Sequence, residues 1–320
     1  MQMSADKNRI MPADQTGVQI SVVMVTYRTG PVLWAAIDAV LCQEPNTELV
    51  LVNNGNEPEV EQRLGEMAKA GQIKLISGQD NVGFARGCNL GVDASCGEYL
   101  LLLNPDCILL PGACLELLAE IQRQPENTLL GAELLDPSGS GHLNTCREFA
   151  TPWRVFVEMT RLHKVARKHP YFRSLNLVPE VNEQGITEVP VISGALMFMR
   201  TAQYRNLGGM DEDYFLHVED QDFCLRHHLN GGRTMFVPAA RAYHYQSSSA
   251  VKWAYVEWHK ARSFSTYFDK HFAEFYPTVF LWLVKFAVFA GFGLRLIKRA
   301  LLFPFRRRHA RDVEFERPVA

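Results

Sequence analysis

The sequence predicts an α/β protein: a mostly parallel sheet with helices on both faces, followed by an amphipathic helical segment at the C-terminal end. Three observations predict it. Short apolar runs alternate with helical segments through the first half of the chain. Those runs are almost continuously apolar, as strands buried on both faces require. The 320 residues are 47% hydrophobic and 21% charged, which suits a folded chain with room for one large domain and appendages, or two small domains.

Taken in order, Ile20 to Thr26 (ISVVMVT) is a short β-branched run and reads as a buried strand. Pro31 opens a helical stretch to about Cys42, as proline does in a first helical turn. Glu48 to Asn53 is the second strand, Pro58 to Ala70 a charged helix and Ile73 to Ser77 a third strand. Phe84 to Ala94 reads as a helix, Glu98 to Leu103 as a fourth strand, and Pro111 starts another helix. Ligands of such sheets bind outside the carboxyl ends of the strands. The loops after Thr26, Asn53 and Leu103 therefore belong on one edge. Beyond them, a helix is expected near Pro152 to Lys168 and a strand over Val189 to Arg200 (VPVISGALMFMR). A helix over His217 to Asn230 should stop at Gly231-Gly232.

Composition removes several function classes. The net charge of −2 gives no global basic field for nucleic acid, so no nucleic-acid partner is expected. The seven cysteines are odd in number and include no CxxC pair, which argues against a disulfide framework or a zinc site and for a reducing, cytoplasmic setting. Residues 1–18 are polar and read as a flexible tail, and no basic-then-apolar start suggests a signal peptide.

Four constellations carry chemistry. Asn104-Pro105-Asp106 follows an apolar run directly, so Asp106 should face the ligand edge. Mg²⁺ and Mn²⁺ bound to a diphosphate are often held by one or two protein carboxylates. A turn acid capping the next helix is the other reading. Next, Asp211, Glu212, Asp213, Glu219, Asp220 and Asp222 place six acids in twelve residues. Two unit charges 4 Å apart repel by roughly 4 kcal/mol at an effective dielectric near 20, so solvent, a cation or a proton must offset them. Glu219 and Asp220 lie roughly 100° apart on a helix, so one can serve chemistry while the other is structural. A solvated acidic helix start, favoured by the helix dipole, is the alternative. Third, Asn81 to Gly91 (NVGFARGCNLG) lets backbone approach a ligand closely, and Arg86 can reach a phosphate or a base, although helix-packing glycines would look the same. It lacks the spacing of a P-loop or a dinucleotide fingerprint. Last, His244 in Ala242-Tyr243-His244-Tyr245 is a metal-ligand candidate or a structural histidine.

The order SVVMVTYRTG, LVNNGN, NVGFARGCNLG, LLLLNPDCILLPG, SGALMFMR, GGMDEDYFLHVEDQDFCLR and VPAARAYHYQSSS resembles the family 2 glycosyltransferases. The likeness is to a rhamnosyltransferase-like branch acting on lipid-linked or cell-wall glycans, and it spans about residues 20–250. It implies a GT-A fold, a nucleotide-sugar donor, a Mg²⁺ or Mn²⁺ ion, and transfer with inversion to a glycan or lipid-linked acceptor. By that resemblance Thr26, Tyr27, Asn53, Asn54, Asn81, Gly83, Arg86, Asn89, Asn104 and Asp106 line the donor. Gly194 and Ala195 lie under the transferred sugar. Asp106 and His244 hold the metal, and Asp220, with Glu219 beside it, supplies the catalytic base. The chain departs from the family in two places: Asn53 stands where an aspartate is frequent, and the DxD element is reduced to Asn104-Pro105-Asp106. The expected donor is dTDP-L-rhamnose. A UDP-hexose donor, or an inactive nucleotide-sugar or glycan-binding subunit, are the alternatives.

The implied catalytic domain covers residues 19–250, with a nucleotide-binding half at 19–135 and an acceptor-side half at 136–250. Residues 251–320 form C-terminal helices. Val279 to Phe303 is apolar but carries Lys285, Arg295, Lys298 and Arg299, and Arg306-Arg307-Arg308 follows. The longest uninterrupted apolar run, Phe286 to Leu294, is far short of the roughly 20 residues a spanning helix needs. The expectation is a peripheral helix on the inner leaflet, with the cations on anionic head groups. Packing on the catalytic domain, or on a second copy in a homo-oligomer, is the other reading.

Overall fold

Apolar side chains that alternate along β2 (Ile20–Thr26) supply two cores at once. Val22 and Met24 enter one, Val23 and Val25 the other, because successive strand residues point to opposite faces. The computed structural model describes residues 9–10, 17–44, 46–138, 142–165, 169–179, 185–246 and 248–302. Most of the expected tail and the Arg306–Arg308 cluster lie outside these residues.

After β1 (Arg9–Ile10) and β2 come α1 (Val32–Leu41), β3 (Thr47–Asn53), α2 (Pro58–Lys69), β4 (Lys74–Ile76), α3 (Phe84–Asp93) and β5 (Tyr99–Leu103). The chain continues through β6 (Cys107–Leu109), α4 (Ala113–Arg123), β7 (Thr128–Leu135), β8 (Cys146–Arg147), α5 (Pro152–Thr160), α6 (Leu162–Val165), β9 (Asn176–Leu177), β10 (Thr187–Glu188) and β11 (Val191–Ile192). It ends with β12 (Leu196–Arg200), α7 (Thr201–Asn206), α8 (Glu219–Leu229), β13 (Arg233–His244), α9 (Trp253–Phe272) and α10 (Thr278–Leu302).

The main sheet runs β1-β4-β3-β2-β5-β12-β7-β13-β10, with β6 on β13, and β11-β8-β9 form a small second sheet. Strands β4, β3, β2 and β5 are parallel, as expected. The rest makes the sheet mixed. The expected single strand Val189–Arg200 breaks at Ser193–Ala195: β11 joins the small sheet and β12 runs antiparallel to β5. The chain returns to the sheet at its carboxyl edge, where the Asn104 N–H donates to the Ala195 carbonyl (2.9 Å), so β12 must run the other way. Strand β13, which the sequence reading missed, contains Pro238 and a register shift between Val237 and Arg241 that breaks its alternation.

Helix α8 starts at Glu219 rather than at the expected His217. His217 and Val218 both take left-handed backbone angles, φ 66° and 73°. Helices α9 and α10 are not a separate appendage. Leu281, Val284, Val288, Tyr267 and Phe268 share a core with Val155, Tyr214 and Leu225, so this core crosses position 250. The opposite face of α10 leaves Val279, Trp282, Leu283, Phe286, Leu294 and Ile297 exposed. Taken as a whole, Thr278–Arg299 is long and apolar enough to cross a membrane by length and composition, although the expectation from uninterrupted runs was that it is not.

Candidate active site

The carboxyl ends of β2, β3 and β5 place Tyr27, Asn53-Asn54 and Asn104–Asp106 along one edge. Two adjoining clefts open there. The first, about 550 Å³, is lined by Tyr27, Asn54, Asn81, Gly83, Trp253 and Tyr255. The second, about 540 Å³, is lined by Arg147, Gly194, Ala195, Glu219, Asp220 and His244. Phe84, Asn104, Asp106, Leu216 and His217 border both. Gly83 has φ +88°, and a Cβ there would sit 2.6 Å from the Phe215 carbonyl oxygen. That close approach lets the Phe84 N–H donate to the same oxygen (2.8 Å) and ties the wall of α3 to the segment before α8.

Asp106 and His244 come together through strand register. Strand β6 pairs with β13 so that Cys107 faces His244, and the Tyr245 N–H donates to the Asp106 carbonyl (3.0 Å). His244 Nε2 lies 3.3 Å from Asp106 Oδ1, and the Ser248 hydroxyl donates to Asp106 Oδ2 (3.0 Å). His244 Nδ1 is buried without a partner among the described residues. One carboxylate and one imidazole suit Mn²⁺, and the carboxylate also suits Mg²⁺. The donor set fits a divalent ion whose other positions are taken by phosphate and water. Cys107 lies within the same cluster but is fully buried, and desolvation pushes its thiol well above the usual range. A neutral soft thiol is a poor ligand for such a cation.

The six acids separate by partner. Lys270 pairs with Asp211 and with Asp213 (2.7 Å). Glu212 accepts from Asn89 (3.0 Å) and lies 3.7 Å from Arg86. Asp222 is held by Arg226 (2.7 Å) and His271 (2.6 Å). Burial alone would raise the Asp222 carboxyl, but the His271 hydrogen bond and the Arg226 charge leave it below its ordinary value. Glu219 and Asp220 remain, and both line the second cleft.

These two differ in environment. Asp220 Oδ2 accepts from the Gly194 N–H (3.2 Å), Oδ1 accepts from the Gln221 N–H (2.8 Å), and Arg147 lies 3.7 Å away. Glu219 has a buried Oε2 with no partner among the described residues. Burial first, and the neighbouring Asp220 second, raise its carboxyl well above the ordinary range. Next to them, burial and then the Lys260 ammonium push His217 down to about 4, which keeps that imidazole neutral.

Not every residue expected at the donor lies in a cleft wall. Thr26 is fully buried and bonds Thr29 (3.0 Å), while Asn53 is engaged by Glu61 (3.0 Å) and Asn56 (2.7 Å). Both shape the loops that carry Tyr27 and Asn54. Asn89 is engaged by Tyr204 (2.6 Å), Met210 and Glu212, away from both clefts, and Arg86 faces Glu212. Gly87 and Gly91 are packing glycines: a Cβ would meet Val25 at 2.8 Å and Val23 at 2.3 Å. The sequence reading missed Arg147, His217, Trp253, Tyr255, Lys260 and Arg299 in the cleft walls. Four of these sit in the C-terminal helices, whose apolar pattern gave no hint of a site.

A family model described as glycosyl transferase family 2 matches residues 21–176. The N-acetylglucosaminyl-diphospho-decaprenol L-rhamnosyltransferase of Mycobacterium tuberculosis is 26% identical over 248 residues, 72% of this chain and 77% of that one. Rhamnosyltransferase WbbL of Escherichia coli is 30% identical over 151 residues, 46% of this chain and 52% of that one. Among solved structures, GalNAc-T7 with UDP, GalNAc and Mn²⁺ superimposes with a TM-score of 0.58 at 17% identity, over 80% of this chain and 48% of that one. The mannosyltransferase PcManGT of Pyrobaculum calidifontis, in complex with GDP-Man and Mn²⁺, gives 0.52 at 14% identity, over 92% and 79%. At these identities the structural likeness shows the fold.

Proposed function

Because the chain is a glycosyltransferase of the family 2, GT-A superfamily, we propose that it moves L-rhamnose from dTDP-L-rhamnose, with inversion, to a hydroxyl of a lipid-linked glycan. The observation that carries the mechanism is the division of carboxylates between the clefts. Asp106 borders both, whereas Asp220 lines only the second. In this reading the donor fills the first cleft and its sugar reaches past Asn104 toward Gly194 and Ala195. The acceptor enters the second cleft.

Asp106 and His244 would hold the divalent ion, which when bound supplies positive charge for the departing diphosphate. Asp220 takes the proton from the attacking hydroxyl. The Gly194 and Gln221 N–H groups fix its carboxylate, so it is aimed before the acceptor arrives. In this reading the base and the leaving group would fall on opposite sides of the anomeric carbon, as a single in-line displacement with inversion requires. The choice of rhamnose is supported by the activities for which the relatives in M. tuberculosis and E. coli are named. The former also supports an acceptor sugar on a polyprenyl diphosphate.

The exposed apolar stripe of α10, with Arg295 and Lys298 exposed in its last turns, supports docking on the inner membrane surface. That placement would keep the joined clefts, which α9 and α10 partly wall, close to a membrane-bound acceptor.

The test is turnover and donor binding of Asp220→Asn with dTDP-L-rhamnose, UDP-hexoses and GDP-hexoses as donors. Transfer should fall by about three orders of magnitude or more while donor affinity stays within about twofold. Wild-type turnover in the variant would remove Asp220 from the mechanism. Transfer from UDP-hexose alone would replace the rhamnose assignment.

A further inference from the structure

We propose that Arg299, carried by the last turn of α10, is the cation that receives the diphosphate of the donor; the inference rests on reading the first cleft as the donor pocket. Among the described residues lining that cleft, Arg299 is the single lysine or arginine and Asp106 the single acid. A nucleoside diphosphate brings several negative charges into a pocket that already holds a carboxylate. Charge-assisted hydrogen bonds from a guanidinium are the usual way to meet such a group, because its planar fork matches phosphate oxygens.

The motif that offered an arginine from sequence, Asn81 to Gly91, does not deliver it. Arg86 lies 3.7 Å from Glu212 and lines neither cleft. Arg147 and Lys260 line the second cleft, on the side of Asp220. The donor side therefore draws its fixed positive charge from a helix far along the chain. The geometry holds Arg299 in place: its guanidinium carbon lies 5.1 Å from the centre of the Trp253 ring, and Trp253 itself lines the cleft. Leu281, Val284 and Val288 seat α10 in the core that it shares with α5, α8 and α9, so the helix presents Arg299 from a fixed base.

A surface cation at a helix C-terminus is also favoured by the helix dipole. The experiment must therefore read ligand binding. Full-length wild type, Arg299→Gln and Arg299→Lys are titrated with dTDP and with UDP in the presence of Mn²⁺, at low and at high salt, by calorimetry. Arg299→Gln should weaken diphosphate binding by roughly tenfold or more, and Arg299→Lys should recover part of it. The salt dependence of the wild type should be steeper than that of Arg299→Gln. Equal affinity and equal salt dependence in wild type and Arg299→Gln would overturn the assignment while leaving the donor pocket intact. Failure of the wild type to bind any nucleoside diphosphate would overturn the donor-pocket reading, and this assignment with it.

Discussion

Gly194→Ala probes the positioning of Asp220 without touching its carboxylate. A Cβ at position 194 would sit 3.1 Å from Asp220 Cβ and 3.7 Å from its Cγ. Ordinary contact begins near 3.4 Å, so Asp220 must give way by about 0.3–0.5 Å. The displacement also lengthens the Gly194 N–H bond to Oδ2, which is 3.2 Å at the start. A misplacement of about 1 Å can cost about a hundredfold in rate, so half of that should cost roughly tenfold in kcat. Gly194 is not among the glycines with positive φ, so alanine is conformationally allowed there, and its entropy gain of about 0.4–1 kcal/mol offsets much of an overpacking cost at the low end of about 1–3 kcal/mol. The assay is the steady-state rate with saturating donor, paired with a dTDP titration and a urea melt. The expected result is a lower kcat, an unchanged affinity for dTDP, which lacks the sugar placed over Gly194, and a nearly unchanged melt. A wild-type kcat, with Asp220→Asn inactive in the same assay, would refute the idea that this close approach aims the base.

Three further outcomes follow from the geometry. His244→Ala should weaken Mn²⁺ binding by about tenfold or more, read by electron paramagnetic resonance, while the melt changes little; unchanged Mn²⁺ affinity would remove His244 from the metal site. Glu219 is raised above its unfolded value, so raising the pH from the ordinary carboxylate range removes a proton from the unfolded chain first and favours unfolding. Glu219→Gln should therefore gain stability relative to wild type as pH rises from about 5 toward 8, and a pH-independent difference in melting temperature would contradict the buried neutral acid. Trp282→Glu with Phe286→Glu, on the exposed face of α10, should release the protein from anionic vesicles in a sedimentation assay. Unchanged vesicle binding would reject membrane docking by this face, and loss of a dimer instead would assign the face to a second copy of the chain.

The parallel half of the sheet was legible because its strands are nearly pure apolar runs bounded by turn and helix signals. Asp106 was legible for the same reason: it follows such a run directly, and strand direction decides which edge it faces. The antiparallel β12 was not, since its direction depends on where the chain re-enters the sheet at Ser193–Ala195, a long-range matter. The acids could not be sorted from sequence either. Their partners Asn89, Arg147, Lys270 and His271 lie on other elements, and only folding shows that five of the six are already paired. The presence of Arg299, and not Arg86, in the wall of the first cleft has the same origin. A motif reports local spacing, whereas a pocket is assembled from segments that meet only in three dimensions.

His217 and Val218 have a consequence for anyone seeking a hardier form of this protein. Neither is glycine, yet both hold left-handed angles, at a cost of about 1 kcal/mol or more each. That bend sets the first turn of α8, and with it the direction in which Glu219 and Asp220 leave the helix. A selection for heat resistance should find relief in this turn, for example through His217→Gly, since the fold gains there by relaxing. Glycine would also let the turn sample other angles, which loosens the aim of Asp220, the proposed base. Endurance and turnover are set against each other within two residues, and variants in this turn should lie along a line that trades one for the other.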